Sequence, residues 1–328
     1  LEEIKIVAHL HWAWSSFLLI FASTNPIKAS LLVGLGTGIL LIRYAVFQGR
    51  RNPNPAVAEV WIYLGILELL GLRIYWMNTP IAQLFGDPLA PWRAAIATIP
   101  AIFIYLLPWE SWGWPKRPWQ IAGFVWPLLM MIETALIIHP IALLSVAVFY
   151  ILISRLNQEI RFTYLSAVLI DWAIFRWLAE LQLSNILCYV IPVGLSLLYV
   201  AQIDPELTLP KQRKSRHSLR VIAISIICFT SLWTEQWTGL GSGILSIFTI
   251  VAGLGLRIRA FLYIGTATFL INAVNQLVIL NFRYTFLKWL IGLIVGIIFI
   301  WIAANFETRR EQITTLVRNW INELANWE

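Results

Sequence analysis

The sequence predicts an all-α, polytopic bundle of about twelve transmembrane helices, with both termini on the cytoplasmic side and a C-terminal amphipathic helix on the membrane surface. Three observations predict it. Of the 328 residues, 59% are hydrophobic and 12% charged, and the mean hydropathy is +0.75, whereas soluble domains carry about a quarter charged residues. The apolar residues fall in long runs, as lipid requires, since a span needs ~20 of them to cross a hydrocarbon core about 30 Å thick. Lys and Arg concentrate in every second connection between the runs, the pattern that cytoplasmic loops follow.

Reading apolar runs against their breakers gives spans 6–21, 29–47, 57–77, 94–108, 120–137, 141–154, 162–179, 184–201, 219–233, 239–256, 260–280 and 285–305. "NPNP" separates the second from the third, and the "HP" turn at His139 separates the fifth from the sixth. The runs 94–108 and 141–154 are short enough to be half-helices or re-entrant segments. The chain is thus divided into a transmembrane helical domain, 1–306, and an amphipathic surface helix, 307–328. Within the first, the polar inner loop 202–218 is the one convincing linker, opening the stretch "QIDPELTLPKQRKSRHSLR". Its basic run either sets topology or binds anionic lipid.

Charge tests this reading independently of hydropathy. With twelve spans and the N-terminus inside, only Lys28, Arg73, Arg93, Arg176, Arg283 and Lys288 of the 24 Lys and Arg fall on or near the outer side. An error of one span would scramble the alternation. The net charge of +7 therefore reports topology, not nucleic-acid binding, because the cations sit in short loops instead of on one compact domain. The chain begins at Leu1 without an initiator Met, and Glu2, Glu3 and Lys5 precede the first run. This leads us to expect a fragment of a longer protein, with no signal peptide.

Two features at the membrane surface are candidates for docking or headgroup contact. The inner loop "LPWESWGWPKRPWQ" places Trp109, Trp112, Trp114 and Trp119 beside Lys116 and Arg117, and rings with cations suit a headgroup interface or a partner. From Glu307 onward Ile313, Leu316, Val317, Trp320, Ile321, Leu324 and Trp327 recur at helical spacing. That helix would cap the cytoplasmic surface or dock a partner through Trp320 and Trp327.

Ionisable residues inside spans cost ~2.5 to 3.5 kcal/mol at mid-helix unless they find a partner. The third span carries Glu68 and Arg73, the fifth Glu133, the seventh Asp171 and Arg176, while Arg93 opens the fourth. All lie at the middle or in the outer half of the bilayer, so a cluster pairing Arg73, Arg93 and Arg176 with Glu68, Glu133 and Asp171 is expected. It would be either a salt-bridge network that fixes packing or a polar cavity for substrate or proton. Asn272, Asn275 and Gln276 in the eleventh span would hydrogen-bond a neighbouring helix.

Signatures of chemistry are missing from the sequence. It contains no nucleophile–base pair, no His-x-x-x-His spacing and no Walker loop. Cys188 and Cys228 fall in apolar runs as small hydrophobes. His9 and His11, two apart, point to different faces, so neither is assigned a haem or pigment, and no cofactor or metal is expected. The repeats "GLGTGILLI" and "GLGSGILSI" place small residues where helix backbones can approach closely.

The segments "AGLGLRIRAFLYIGTATFLINAVNQLVIL", "GLIVGIIFIWIAANFETRREQ", "DWAIFRWLAE" and "LPKQRKSRHSLR" resemble the C-terminal membrane region of large multi-spanning proteins of unknown function from cyanobacteria. The resemblance implies a bacterial plasma or thylakoid membrane and supplies no functional residues. The expected role is a non-enzymatic scaffold or assembly partner, whose contacts are the lipid bilayer and other membrane-protein subunits. The alternatives are a transporter whose path passes the buried carboxylates and arginines, and, third, a membrane-embedded enzyme.

Overall fold

The computed structural model describes residues 2–24, 31–77, 88–235 and 238–283, together with positions 286, 292–294, 296, 297 and 300. Among the described residues the chain is helical throughout, with no strand. Among the described residues seven helices are long and apolar enough to cross a membrane: Glu3–Phe21, Pro55–Arg73, Pro140–Asn157, Phe162–Glu180, Ile186–Ile203, Arg213–Thr234 and Arg259–Leu280. Ala90–Leu106 and Leu240–Leu256 are apolar but shorter. Most of the expected last span, and the amphipathic helix 307–328 with Trp320 and Trp327, lie outside the described residues.

The chain divides into two compact units, Leu1–Asn157 and Gln158–Glu328. The break falls after the sixth expected span, so the polar loop 202–218 lies inside the second unit. The first unit contains α1 (Glu2–Thr24), α2 (Leu31–Arg51), α3 (Pro55–Met77), α4 (Arg93–Leu106), α5 (Lys116–Glu133) and α6 (Pro140–Asn157). Local chemistry sets the boundaries. Between α2 and α3 the side chains of Asn52 and Asn54 accept from the backbone N–H of Asn54 and Ala56, both at 3.0 Å. Pro55 then opens α3, where its missing N–H costs nothing. At α6, Pro140 is again first, and His139 Nδ1 accepts from the Ile141 N–H at 3.2 Å. The sixth run, short in the hydropathy reading, extends as helix through Ser154 and Arg155 to Asn157.

Small residues bring the first unit together. Ala94, Ala97 and Ala101 of α4 are buried at helical spacing, and α4 packs on both α5 and α6. A Cβ at Gly123 of α5 would sit 2.9 Å from the Ala101 carbonyl oxygen, so only glycine permits this approach. Tyr150 of α6 is fully buried and donates to the Phe124 carbonyl at 2.7 Å. Outward faces are apolar instead: Ile39, Leu40, Phe103 and Ile132 are all exposed.

The second unit contains α7 (Phe162–Glu180), α8 (Ile186–Ile203), α9 (Arg213–Thr234), α10 (Leu240–Leu256) and α11 (Arg259–Arg283). Asn185 caps α8 by accepting from the Leu187 N–H at 2.9 Å. The α10–α11 hairpin buries Ser242, Ser246, Thr249 and Gly253 of α10 against α11, which contributes Ala260, Thr268 and Asn272. Asn272 accepts from the Ser242 hydroxyl at 2.9 Å and donates to the Gly239 carbonyl at 2.8 Å. The outward residues Phe229, Trp233 and Phe248 are exposed. Polar groups inside and hydrocarbon outside is the arrangement that lipid favours and water does not.

Candidate functional site

In the first unit, side-chain contacts show which helix ends share a side. Arg73 near the end of α3 and Arg93 at the start of α4 both pair with Glu133, the last residue of α5, one on each carboxylate oxygen. The Arg93 contact is 2.9 Å. Helix dipoles favour neither a carboxylate at the end of α5 nor a cation at the start of α4, so the ion pairs themselves must hold these charges in place. Beside them Trp92 stacks on His139 with ring centroids 4.5 Å apart, joining the starts of α4 and α6.

At the opposite end lies a tryptophan ledge. After α4 the chain makes one turn of 3₁₀ helix, Trp109–Trp112, and Gly113 takes φ +83°, a left-handed conformation that side chains disfavour. That turn folds Trp109 onto Trp119 of α5, centroids 4.1 Å apart and planes 10° from parallel. The Trp109 indole N–H donates to the Ile104 carbonyl at 2.7 Å, and that of Trp114 to Val46 at 3.2 Å. The Arg50 guanidinium lies 5.0 Å from the Trp114 ring centroid, a cation–π contact joining the end of α2 to the ledge. Trp112, Lys116 and Arg117 are exposed.

The sequence placed six ionisable residues in one polar cluster, and the structure brings together Arg73, Arg93 and Glu133. Glu68 is 5% exposed and lies beside the Ser16 hydroxyl of α1, which itself donates to the Trp12 carbonyl at 2.8 Å. Asp171 and Arg176 belong to the second unit, where Asp171 faces Ser196 of α8. Sequence reasoning named the four ledge tryptophans with Lys116 and Arg117. It missed Arg50 as their partner, although the shared depth of "GRRNPNP" and the Trp loop was the signal. It also missed the aromatic group around His9, whose Nδ1 is 2.9 Å from the Tyr44 hydroxyl and whose ring lies 4.8 Å from that of Trp61.

Most cations of the second unit gather at one end: Arg161 before α7, Arg213, Lys214, Arg216 and Arg220 on the first turns of α9, Arg257 after α10 and Arg259 opening α11, whereas Arg176 lies near the end of α7. Arg220 is 3% exposed and donates to Gln202 at 2.7 Å. Arg161 pairs with Glu206. The Asp204 carboxyl is held below the ordinary carboxylate range, chiefly by the Tyr164 hydroxyl facing it and further by the backbone N–H groups of Glu206 and Leu207 and the Arg161 charge.

No protein-family model, curated protein or solved structure matches this chain.

Proposed function

We propose that this chain is an integral membrane protein of non-enzymatic type, a scaffold or assembly subunit of a bacterial plasma or thylakoid membrane. It crosses the bilayer about twelve times, with both termini cytoplasmic. The charge distribution supports the orientation: in the first unit Arg50, Arg51, Lys116, Arg117 and Arg155 share the ledge end, while Arg73 and Arg93 at the other end share a carboxylate. In the second unit most cations collect at the α9 start. By the positive-inside rule both basic ends face the cytoplasm. The bacterial setting rests on the resemblance to cyanobacterial membrane regions.

The ledge carries the assembly reading. Trp109, Trp114 and Trp119 are fixed by stacking, indole hydrogen bonds and the Arg50 contact, so they present Trp112 without a further ordering cost. A rigid aromatic surface with cations beside it is the composition of interface anchors. The expected terminal helix 307–328, with Trp320 and Trp327, is a separate candidate for cytoplasmic docking. Full-length protein solubilised in mild detergent and sized by native electrophoresis tests the reading. Trp112→Ala and deletion of 307–328 should each release the partner while leaving the thermal midpoint of the chain unchanged. An undiminished complex in both would overturn it.

Glu68 favours a second reading, a transporter with a protonatable path. A carboxyl buried in mid-α3 beside a single serine hydroxyl is a costly placement that packing alone does not require. On that reading Glu68→Gln abolishes pH-driven flux in sealed vesicles and leaves the fold intact.

A further inference from the structure

We propose that the cleft between α3 and α5 is a binding site for one anionic phospholipid of the cytoplasmic leaflet, its acyl chain in the cleft and its phosphate at Lys116 and Arg117. This goes beyond the assembly reading and rests on its membrane placement. The cleft is a cavity of about 120 Å³, walled by Tyr63, Ile66 and Leu70 of α3 and Ile121, Val125 and Leu129 of α5. Both walls repeat at helical spacing, so the residues form continuous stripes along two helices that run in the same direction. Ile121 and Leu129 are exposed, leaving the cleft open to the surrounding hydrocarbon.

Length and charge select the occupant. The α5 wall begins at Pro118 and ends at Leu129, a span of about 16 Å at 1.5 Å per residue, close to one leaflet of a hydrocarbon core about 30 Å thick. A single acyl chain fits that depth, whereas a transmembrane helix of a partner would need twice the length. The residues just before Pro118 are Lys116 and Arg117, both exposed, at the first turn of α5 where free N–H groups and the helix dipole also favour an anion. Arg50 and Arg51 stand at the same end of the unit, against Glu59 and Glu110, so that end of the unit is net cationic. Trp119 follows directly, its ring locked against Trp109, placing indoles at the depth of the headgroups. A zwitterionic lipid would fill the cleft equally well and gain nothing from the cations.

Full-length protein in phosphatidylcholine vesicles, probed by electron spin resonance with spin-labelled phosphatidylglycerol or phosphatidylcholine, tests the site. Wild-type protein should hold phosphatidylglycerol about 30-fold more tightly than phosphatidylcholine at one immobilised site, about 5-fold for each surface cation. The double variant Lys116→Gln with Arg117→Gln should bring the two lipids level, and Lys116→Arg with Arg117→Lys should restore the preference. Ala122→Phe, which fills the cleft, should remove the immobilised site for both lipids. Equal binding by the wild type, preference surviving the double Gln variant, or a site untouched by Ala122→Phe would each overturn the proposal. Failure of the protein to float with the vesicles would instead overturn the membrane placement itself.

Discussion

Trp109 and Trp119 lie face to face, ring centroids 4.1 Å apart and planes within 10° of parallel, across a turn that only the left-handed Gly113 makes. The stack therefore fastens the end of α4 to the start of α5, and the ledge is part of the fold before it is a docking surface.

Removing Trp109 should cost more than removing Trp112. Trp109→Ala loses the stack, worth about 1 kcal/mol beyond its area, and the N–H bond to Ile104, worth about 1 kcal/mol. A loss of about 2 kcal/mol in denaturant unfolding from detergent micelles is expected. Trp112→Ala, at an exposed position, should fall within about 0.5 kcal/mol of wild type.

Glu133 pairs with two arginines drawn from two other helices. Glu133→Gln removes the shared charge and leaves Arg73 and Arg93 facing one another, for an expected loss of about 1.5–3 kcal/mol, the range for hydrogen bonds to charged groups. A double-mutant cycle of Arg73→Gln with Glu133→Gln, measured by unfolding at low and high salt, should return a favourable coupling that shrinks as salt rises.

Asn272 ties α11 to α10 through two hydrogen bonds. Interhelical bonds in bilayers average about 0.6 kcal/mol each, with a maximum of about 1.7. Asn272→Leu should therefore destabilise the second unit by about 1–3 kcal/mol, read from the thermal midpoint of a chain comprising residues 158–328 and from the full chain in parallel. Asn275→Leu, on the same helix but half-buried, provides the comparison.

The depressed Asp204 carboxyl makes stability depend on acid pH. Its folded value lies below its unfolded one, so its contribution is fully present above the unfolded value of about 3.9 and is lost as pH falls through the folded value. Asp204→Asn should thus be destabilising at neutral pH, with the deficit vanishing under strong acid. Tyr164→Phe removes the first cause of the shift and should raise the carboxyl titration followed by infrared difference spectroscopy. An unmoved titration would count against the assignment.

The spacing of apolar runs located the described helices because the cost of placing charge in hydrocarbon acts on sequence directly. The sequence also assigned Arg73, Arg93 and Glu133 to one level, and the structure pairs them. Rotation about each helix axis was not legible. The α3 segment is apolar on nearly every face, so nothing in its periodicity says whether Glu68 points at an arginine or, as it does, at Ser16 of α1. The ledge was legible as a cluster of rings and cations, but the stack depends on a backbone angle at Gly113 that composition does not report. Arg50 enters that ledge from the end of α2, a contact set by tertiary packing.

Each of the two compact units holds a surplus of positive charge at one end. On the cytoplasmic orientation proposed for both basic ends, each half carries its own signal for the insertion machinery, and neither depends on the other to learn which way to enter. On that proposal a polypeptide severed after Asn157 yields two pieces that each insert with the basic end on the cytoplasmic side, provided both reach the bilayer.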